Sequence, residues 1–283
     1  MTTTTSAAEA ESRRATFRPT QHRVTFAGVL RSEWVKLTSV RSIGWAIAIA
    51  VVITAGVGTL ATLAALATAP EGAIEQGLFG EMPVASLGAS GLLVSQLVFA
   101  VLGVIAITGE YGSGQIRSSL TAVPRRLPVL GGKALVLGVI AFVASGIALA
   151  IGMASTIGVA LAFGLELETM GLGLEVPFTI LGGATYLALL TVFSLAVGAL
   201  VRSGAGAIAI ALGVLLVLPT VVGLIPFEAV QEAGPYLLPN AGLTMSLPGA
   251  EPGEEFWRAL AVTVAWPAVA LLGAAAAMLR RDA

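Results

Sequence analysis

VPFTILGGATYLALLTVFSLAVGALVRSGAGAIAIALGVLLVLPTVVGLIPF, residues 176–227, contains one charged side chain, Arg202. On each side of that arginine runs an apolar stretch longer than the ~20 residues a helix needs to cross the hydrocarbon core of a bilayer. Both stretches are apolar on every face, so neither has the one-sided pattern of a surface helix in a soluble protein. Neither breaks into the alternating segments of about 10 residues that a membrane barrel requires. In lipid a helix satisfies its backbone hydrogen bonds within itself. With Arg202, Ser203 and Gly204 as the whole connection, the two stretches must form an antiparallel hairpin.

The same test, moved outward, finds six intervals free of Asp, Glu, Lys, Arg and His: 42–70, 82–109, 134–165, 176–201, 203–227 and 259–279. The next longest, 233–250, holds Pro235, Pro239, Asn240 and Pro248 and reads as loop, because proline removes a helical N–H. The first interval follows a 41-residue leader and is longer than the roughly 7–15-residue core of a cleaved signal peptide. The expected fold is therefore an all-α membrane bundle of six transmembrane helices, with residues 42–283 forming one six-span membrane domain. Composition agrees. The chain is 57% hydrophobic with a mean hydropathy of +0.94, and 11% of its residues are charged, against about 25% in soluble domains. Its 34 glycines suit close helix approach in membranes.

Six crossings put both termini, the 109–133 connection and Arg202 on one side. That side collects 14 of the 15 basic residues, while 11 of the 16 acids fall on the other. The positive-inside rule places the basic side, and so both termini, in the cytoplasm.

Several function classes lack their residues. There is no cysteine, and the one histidine, His22, lies outside the spans, so no metal site or cofactor is expected. Spans without ionised groups argue against proton- and ion-coupled carriers, voltage sensors and intramembrane metalloproteases. Gly131-Gly132-Lys133 is followed by Ala134, not Ser or Thr, and is not a Walker A loop. No Ser–His–Asp set or carboxylate pair stands out, so no catalytic residue is expected and the chain is not read as an enzyme. The polar residues within spans are isolated: Thr54, Gln96, Ser145, Thr156, Tyr186, Thr191 and Ser194. Gln96, near the middle of the second span, is the costliest to bury; it either bonds a neighbouring helix or lines a substrate path. Pro219 and Pro267 are expected to kink the fifth and sixth spans.

Residues 1–25, rich in Thr, Ser, Ala and Arg without apolar period, are expected to be a disordered tail. In 26–41, Phe26, Leu30, Trp34 and Leu37 fall on one helical face flanked by Val29 and Val40. This predicts an amphipathic helix in the interface, either an anchor that sets orientation or a docking surface. Glu33 sits beside the apolar arc and needs a partner; Lys36, one turn on, is the obvious one. Residues 109–133 read GEYGSGQIRSSLTAVPRRLPVLGGK. Gly112 and Gly114 can turn the chain, 115–122 can form a short helix that Pro124 ends, and Arg125, Arg126 and Lys133 lead into the next span. By itself this is also what a basic cytoplasmic turn looks like. The long outer loop, 228–257, is a gate or a solvated cap.

Two stretches resemble bacterial ABC transporter permeases of the type-2 exporter class. Glu33-x-x-Lys36-Leu37-x-x-x-Arg41, which also carries Trp34, resembles the interfacial connecting helix of that family. Glu110-Tyr111-x-x-Gly114-x-Ile116-Arg117-x-x-Leu120, with Pro124-Arg125-Arg126 and Lys133, resembles its loop bearing the coupling helix. The resemblance covers the layout of nearly the whole chain but only about 40 residues in motif. It implies a multi-pass protein of the bacterial plasma membrane, surrounded by lipid, that pairs with a second permease copy and with separate ATP-hydrolysing subunits; no nucleic acid is implied. Ile116 and Leu120 would fill a groove on the ATPase, and Arg117, Arg125 and Arg126 would meet its carboxylates. Export of a small molecule, drug or peptide would follow. The alternatives are a non-transporting scaffold or immunity protein on the same fold, or a lipid-processing membrane protein, which would want intramembrane carboxylates or histidines.

Overall fold

The computed structural model describes residues 25–68, 84–114, 126–170, 172–173, 175–247 and 253–280. Among them there is no strand, and six helices are long and apolar enough to cross a bilayer. Helix α1 (Phe26–Ser39) is capped by Thr25, whose Oγ1 accepts a hydrogen bond from the Gly28 amide at 3.2 Å, satisfying one of the orphan donors of the first turn. The expected tail lies outside the described residues except for this capping threonine. Val40, in extended conformation, breaks the chain once, and α2 (Arg41–Thr68) begins the first span. Short α3 (Val84–Ala89) leads into α4 (Leu92–Gly112), then α5 (Arg126–Ala162), α6 (Glu175–Val201) and α7 (Gly204–Leu224). A single turn, α8 (Glu228–Gln231), precedes α9 (Leu238–Ser246), and α10 (Glu254–Arg280) is the last span.

Helix α6 is the axis of the bundle. It packs on α4, α5, α7, α9 and α10, and 72% of its apolar window is buried, against 17% for α7. Lipid is as apolar as leucine, so membrane helices associate through close van der Waals fit and small residues. Accordingly Gly103 of α4 lies against the Thr191 carbonyl of α6, where any Cβ would collide. Of the serines and threonines expected to be isolated, three bond back to their own helices: Thr54 donates to the Ala50 carbonyl (2.7 Å), Ser145 to the Ala141 carbonyl (2.6 Å) and Thr191 to the Leu187 carbonyl (2.7 Å), the usual i−4 solution.

The hairpin predicted around Arg202 forms as expected. Arg202 turns the chain at φ 58°, in the left-handed region uncommon for a non-glycine residue, and Ser203 caps α7. Helix α7 continues past Pro219 because a π-turn, Gly213–Val217, stands just before it, a standard way to absorb a local mismatch. Pro267 stays within α10.

Two expectations need correction. The interval 233–250 is not simply loop: Leu238–Ser246 is helical, because Pro239 stands in the first turn, where no N–H is missed, with Leu238, Gly242 and Met245 buried. Helix α9 packs on α6 so closely that the Met245 carbonyl occupies the space a side chain at Gly182 would need, and Tyr186 occupies that of Gly242. Second, the spans do not stop at charges. Helix α4 runs past Gly109 through Glu110, and α5 begins at Arg126 and passes through Lys133. On α1 the face turned into the protein is Val29, Glu33 and Leu37, whereas Phe26 and Trp34, and Val40 just after the helix, are exposed.

Candidate functional site: a buried charge clamp at the α1 end

Glu33 and Lys36 lie one turn apart on α1, Glu110 lies in the last turn of α4, and Lys133 lies two turns into α5. The helices converge so that these four side chains meet. Lys36 Nζ is 2.8 Å from Glu33 Oε1 and 3.6 Å from Glu110 Oε1. Lys133 Nζ is 2.5 Å from Glu33 Oε2 and 2.8 Å from Glu110 Oε1. Each lysine touches both carboxylates, so charge alternates around a closed ring with no net charge. Glu33 and Lys133 are each 2% exposed, a burial that ionised groups tolerate only when paired.

The ring uses the only two lysines in a chain with thirteen arginines. The choice is physical: an ammonium is a compact point charge that can sit between two carboxylates, whereas a planar guanidinium is built for a single bidentate partner. Burial pulls the Lys36 ammonium down, but Glu33 and Glu110 outweigh it and hold its pKa above the usual lysine value. Lys36 thus remains charged at neutral pH.

A second contact ties the same end to the α6–α7 hairpin. The Arg202 guanidinium lies 5.6 Å from the centroid of the Tyr111 ring, a cation–π distance. The clamp and this contact together bracket the ends of α4 and α5, between which lies 115–125.

Of the residues singled out in the sequence, Glu33 and Lys36 pair as expected, Leu37 is buried beside them, and Trp34 and Arg41 are exposed. Ile116, Arg117, Leu120 and Arg125 lie outside the described residues, as does the short helix expected over 115–122; Arg126 opens α5. Gln96 is buried at 4% exposure. Its Oε1 accepts from Tyr186 Oη at 2.5 Å and its Nε2 donates to the Leu93 carbonyl at 3.0 Å, so it makes an interhelical bond. Sequence reasoning missed Lys133 as the partner of Glu33, one hundred positions away, and Tyr111 as the partner of Arg202. The rarity of lysine was the available signal. No protein-family model matches the chain, and no curated protein matches it.

Proposed function

We propose that the chain is the membrane-spanning permease subunit of an ABC transporter, exporting a small molecule, drug or peptide with ATP hydrolysed by a separate subunit. On this reading it works as a pair of permease copies in a bacterial plasma membrane, with both termini in the cytoplasm. The observation that carries the reading is the clamp. Glu110 stands five residues before the segment 115–125 and Lys133 eight after it; Lys133 is bonded both to Glu110 and to Glu33 of α1, and Lys36 of α1 reaches both carboxylates as well. A push on that segment from a cytoplasmic partner therefore moves the ends of α4 and α5 and the interfacial helix together rather than one by one. Supporting it are the concentration of basic residues on this side of the six helices and the motif resemblance of the two stretches that the clamp joins. The absence of a Walker A loop in the sequence is what a subunit driven by another chain would show.

The test is to extract the tagged chain in mild detergent and identify what co-purifies, assaying the complex for vanadate-sensitive ATP hydrolysis. An ATPase subunit is expected, lost when Ile116, Arg117 and Leu120 are all replaced by alanine. A chain that emerges alone, under conditions where a known permease keeps its motor, overturns the reading in favour of a non-transporting scaffold or immunity protein.

A further inference from the structure

Helices α2 and α4 are pinned together at one level and splay apart below it. At the pin, Gly91 lies against the Thr54 carbonyl with no room for a side chain, and Thr54 Oγ1 meets Ser95 Oγ at 2.5 Å. Toward α1 the facing residues become bulky and the helices part. The gap holds two adjoining cavities that share Ser42, Ile43 and Ile105. The deeper one, about 350 Å³, is lined almost wholly by hydrocarbon, from Ala46 and Ile49 on α2 to Leu97, Val98 and Val101 on α4. The outer one, about 520 Å³, opens beside α1 and includes Lys36, Glu110 and Lys133 in its wall.

The wedge has the polarity of an amphiphile and the depth of a leaflet. Along α4 from Leu97 to Ile105 it extends about 12 Å at 1.5 Å per residue, close to the ~15 Å of one leaflet's hydrocarbon. Trp34 on α1 and Trp45 at the start of α2 are both exposed, as expected for tryptophans at headgroup level, which puts the mouth at the interface and the pin near the bilayer centre. Glu110 and Lys133 in the wall of the outer cavity are buried, whereas Lys36 is about a quarter exposed, and exposed Arg41 stands in the chain between the lining residues Val40 and Ser42.

We propose that the wedge between α2 and α4 is a phospholipid site, with one acyl chain in the apolar trench and an anionic phosphate at the mouth beside Lys36 and Arg41. The site requires only that the bundle spans a membrane and is independent of ATPase coupling. The occupant is a lipid rather than a second copy of the chain, because the trench is apolar over about the depth of a leaflet and the most exposed charge in its lining is the cation Lys36, with exposed Arg41 next in the chain to the lining residues Val40 and Ser42.

The experiment reconstitutes the full chain in phosphatidylcholine vesicles containing phosphatidylglycerol, re-extracts it in mild detergent, and counts bound lipids by native mass spectrometry. One phosphatidylglycerol per chain is expected, retained in preference to phosphatidylcholine. Ala46→Phe and Val101→Trp, each filling the trench, are expected to lower retention at least five-fold without changing elution or melting. Arg41→Gln is expected to cut the preference for phosphatidylglycerol several-fold. Because the chain has no cysteine, a bimane on Val98→Cys reports the trench without these substitutions: chain-brominated phosphatidylglycerol should quench it saturably at low mole fraction. Quenching that merely tracks bulk lipid composition overturns the proposal. So does unchanged lipid retention in folded Ala46→Phe and Val101→Trp, or quantitative cross-linking of Ile49→Cys to a second copy in the membrane.

Discussion

Glu33, Lys36, Glu110 and Lys133 meet at the end of the bundle as four full charges, whereas Gln96 and Tyr186 meet in its middle through one neutral hydrogen bond. Both contacts are buried and both join helices distant in sequence. The difference is depth. Near the helix ends a lysine stem can reach toward headgroups and water, and Lys36 remains about a quarter exposed; long side chains commonly do this at interfaces. In the middle no such outlet exists, and an ionised group there would cost several kcal/mol. The bundle is therefore fastened ionically where it meets the interface and by neutral contacts and small-residue packing where it crosses the core.

The sharpest way to break that contrast is Lys133→Met. It leaves two buried carboxylates facing each other across one remaining cation, and a loss of about 3–5 kcal/mol is expected, read as a lower melting temperature in detergent. Adding Glu110→Leu should recover much of it, because the second change removes a stranded charge; a double-mutant cycle measures the coupling. If the two losses simply add, the clamp is not a unit.

Next in size is Gly182→Leu, in the middle of the bundle. The new side chain meets the Met245 carbonyl and should cost about 1–3 kcal/mol as overpacking. It should also displace α9, so that a single cysteine at buried Ala241 becomes reactive to maleimide. Unchanged protection of that cysteine would remove α9 from the packed core.

Tyr186→Phe tests the neutral fastening directly. It removes the bond to Gln96 and is expected to cost about 1 kcal/mol, near the ~0.6 average for polar contacts between membrane helices. A loss as large as that of Lys133→Met would erase the distinction between the two regions.

The smallest effect is the pH dependence of the clamp. Lys36 has a folded pKa above its unfolded value, so its contribution is fully present below about pH 10.4 and is lost as pH rises through the folded value. The melting difference between the chain and Lys36→Met should thus be flat from pH 6 to about pH 10 and shrink above it. A difference that changes near neutrality would mean that some other group controls the clamp.

The six spans were legible because each needs only local information: enough consecutive residues without charge to cross a fixed thickness of hydrocarbon. That criterion erred at Glu110 and Lys133, which it treated as helix boundaries, since a charge can continue a helix once another helix supplies its counter-charge. It erred again at Leu238–Ser246, where proline and a short length argue for loop in isolation, and the helix is held by packing on Gly182 and Tyr186. In α1 the periodicity identified an amphipathic helix but not that Val29, Glu33 and Leu37 are the face it turns into the protein. Two solvents compete for the helix; lipid can take Phe26 and Trp34, while only the protein can neutralise Glu33.

Sequence by itself determined that this chain is helical, that six of its helices can span a bilayer, and where its positive charge concentrates, because these follow from composition along a line. The tertiary structure alone decided that Lys133 neutralises Glu33 and Glu110, that α9 inserts beside α6, and that α2 and α4 open into a wedge. Each of these depends on which residues of different helices share the same depth, and that is settled by packing, at distances in sequence over which periodicity carries no information.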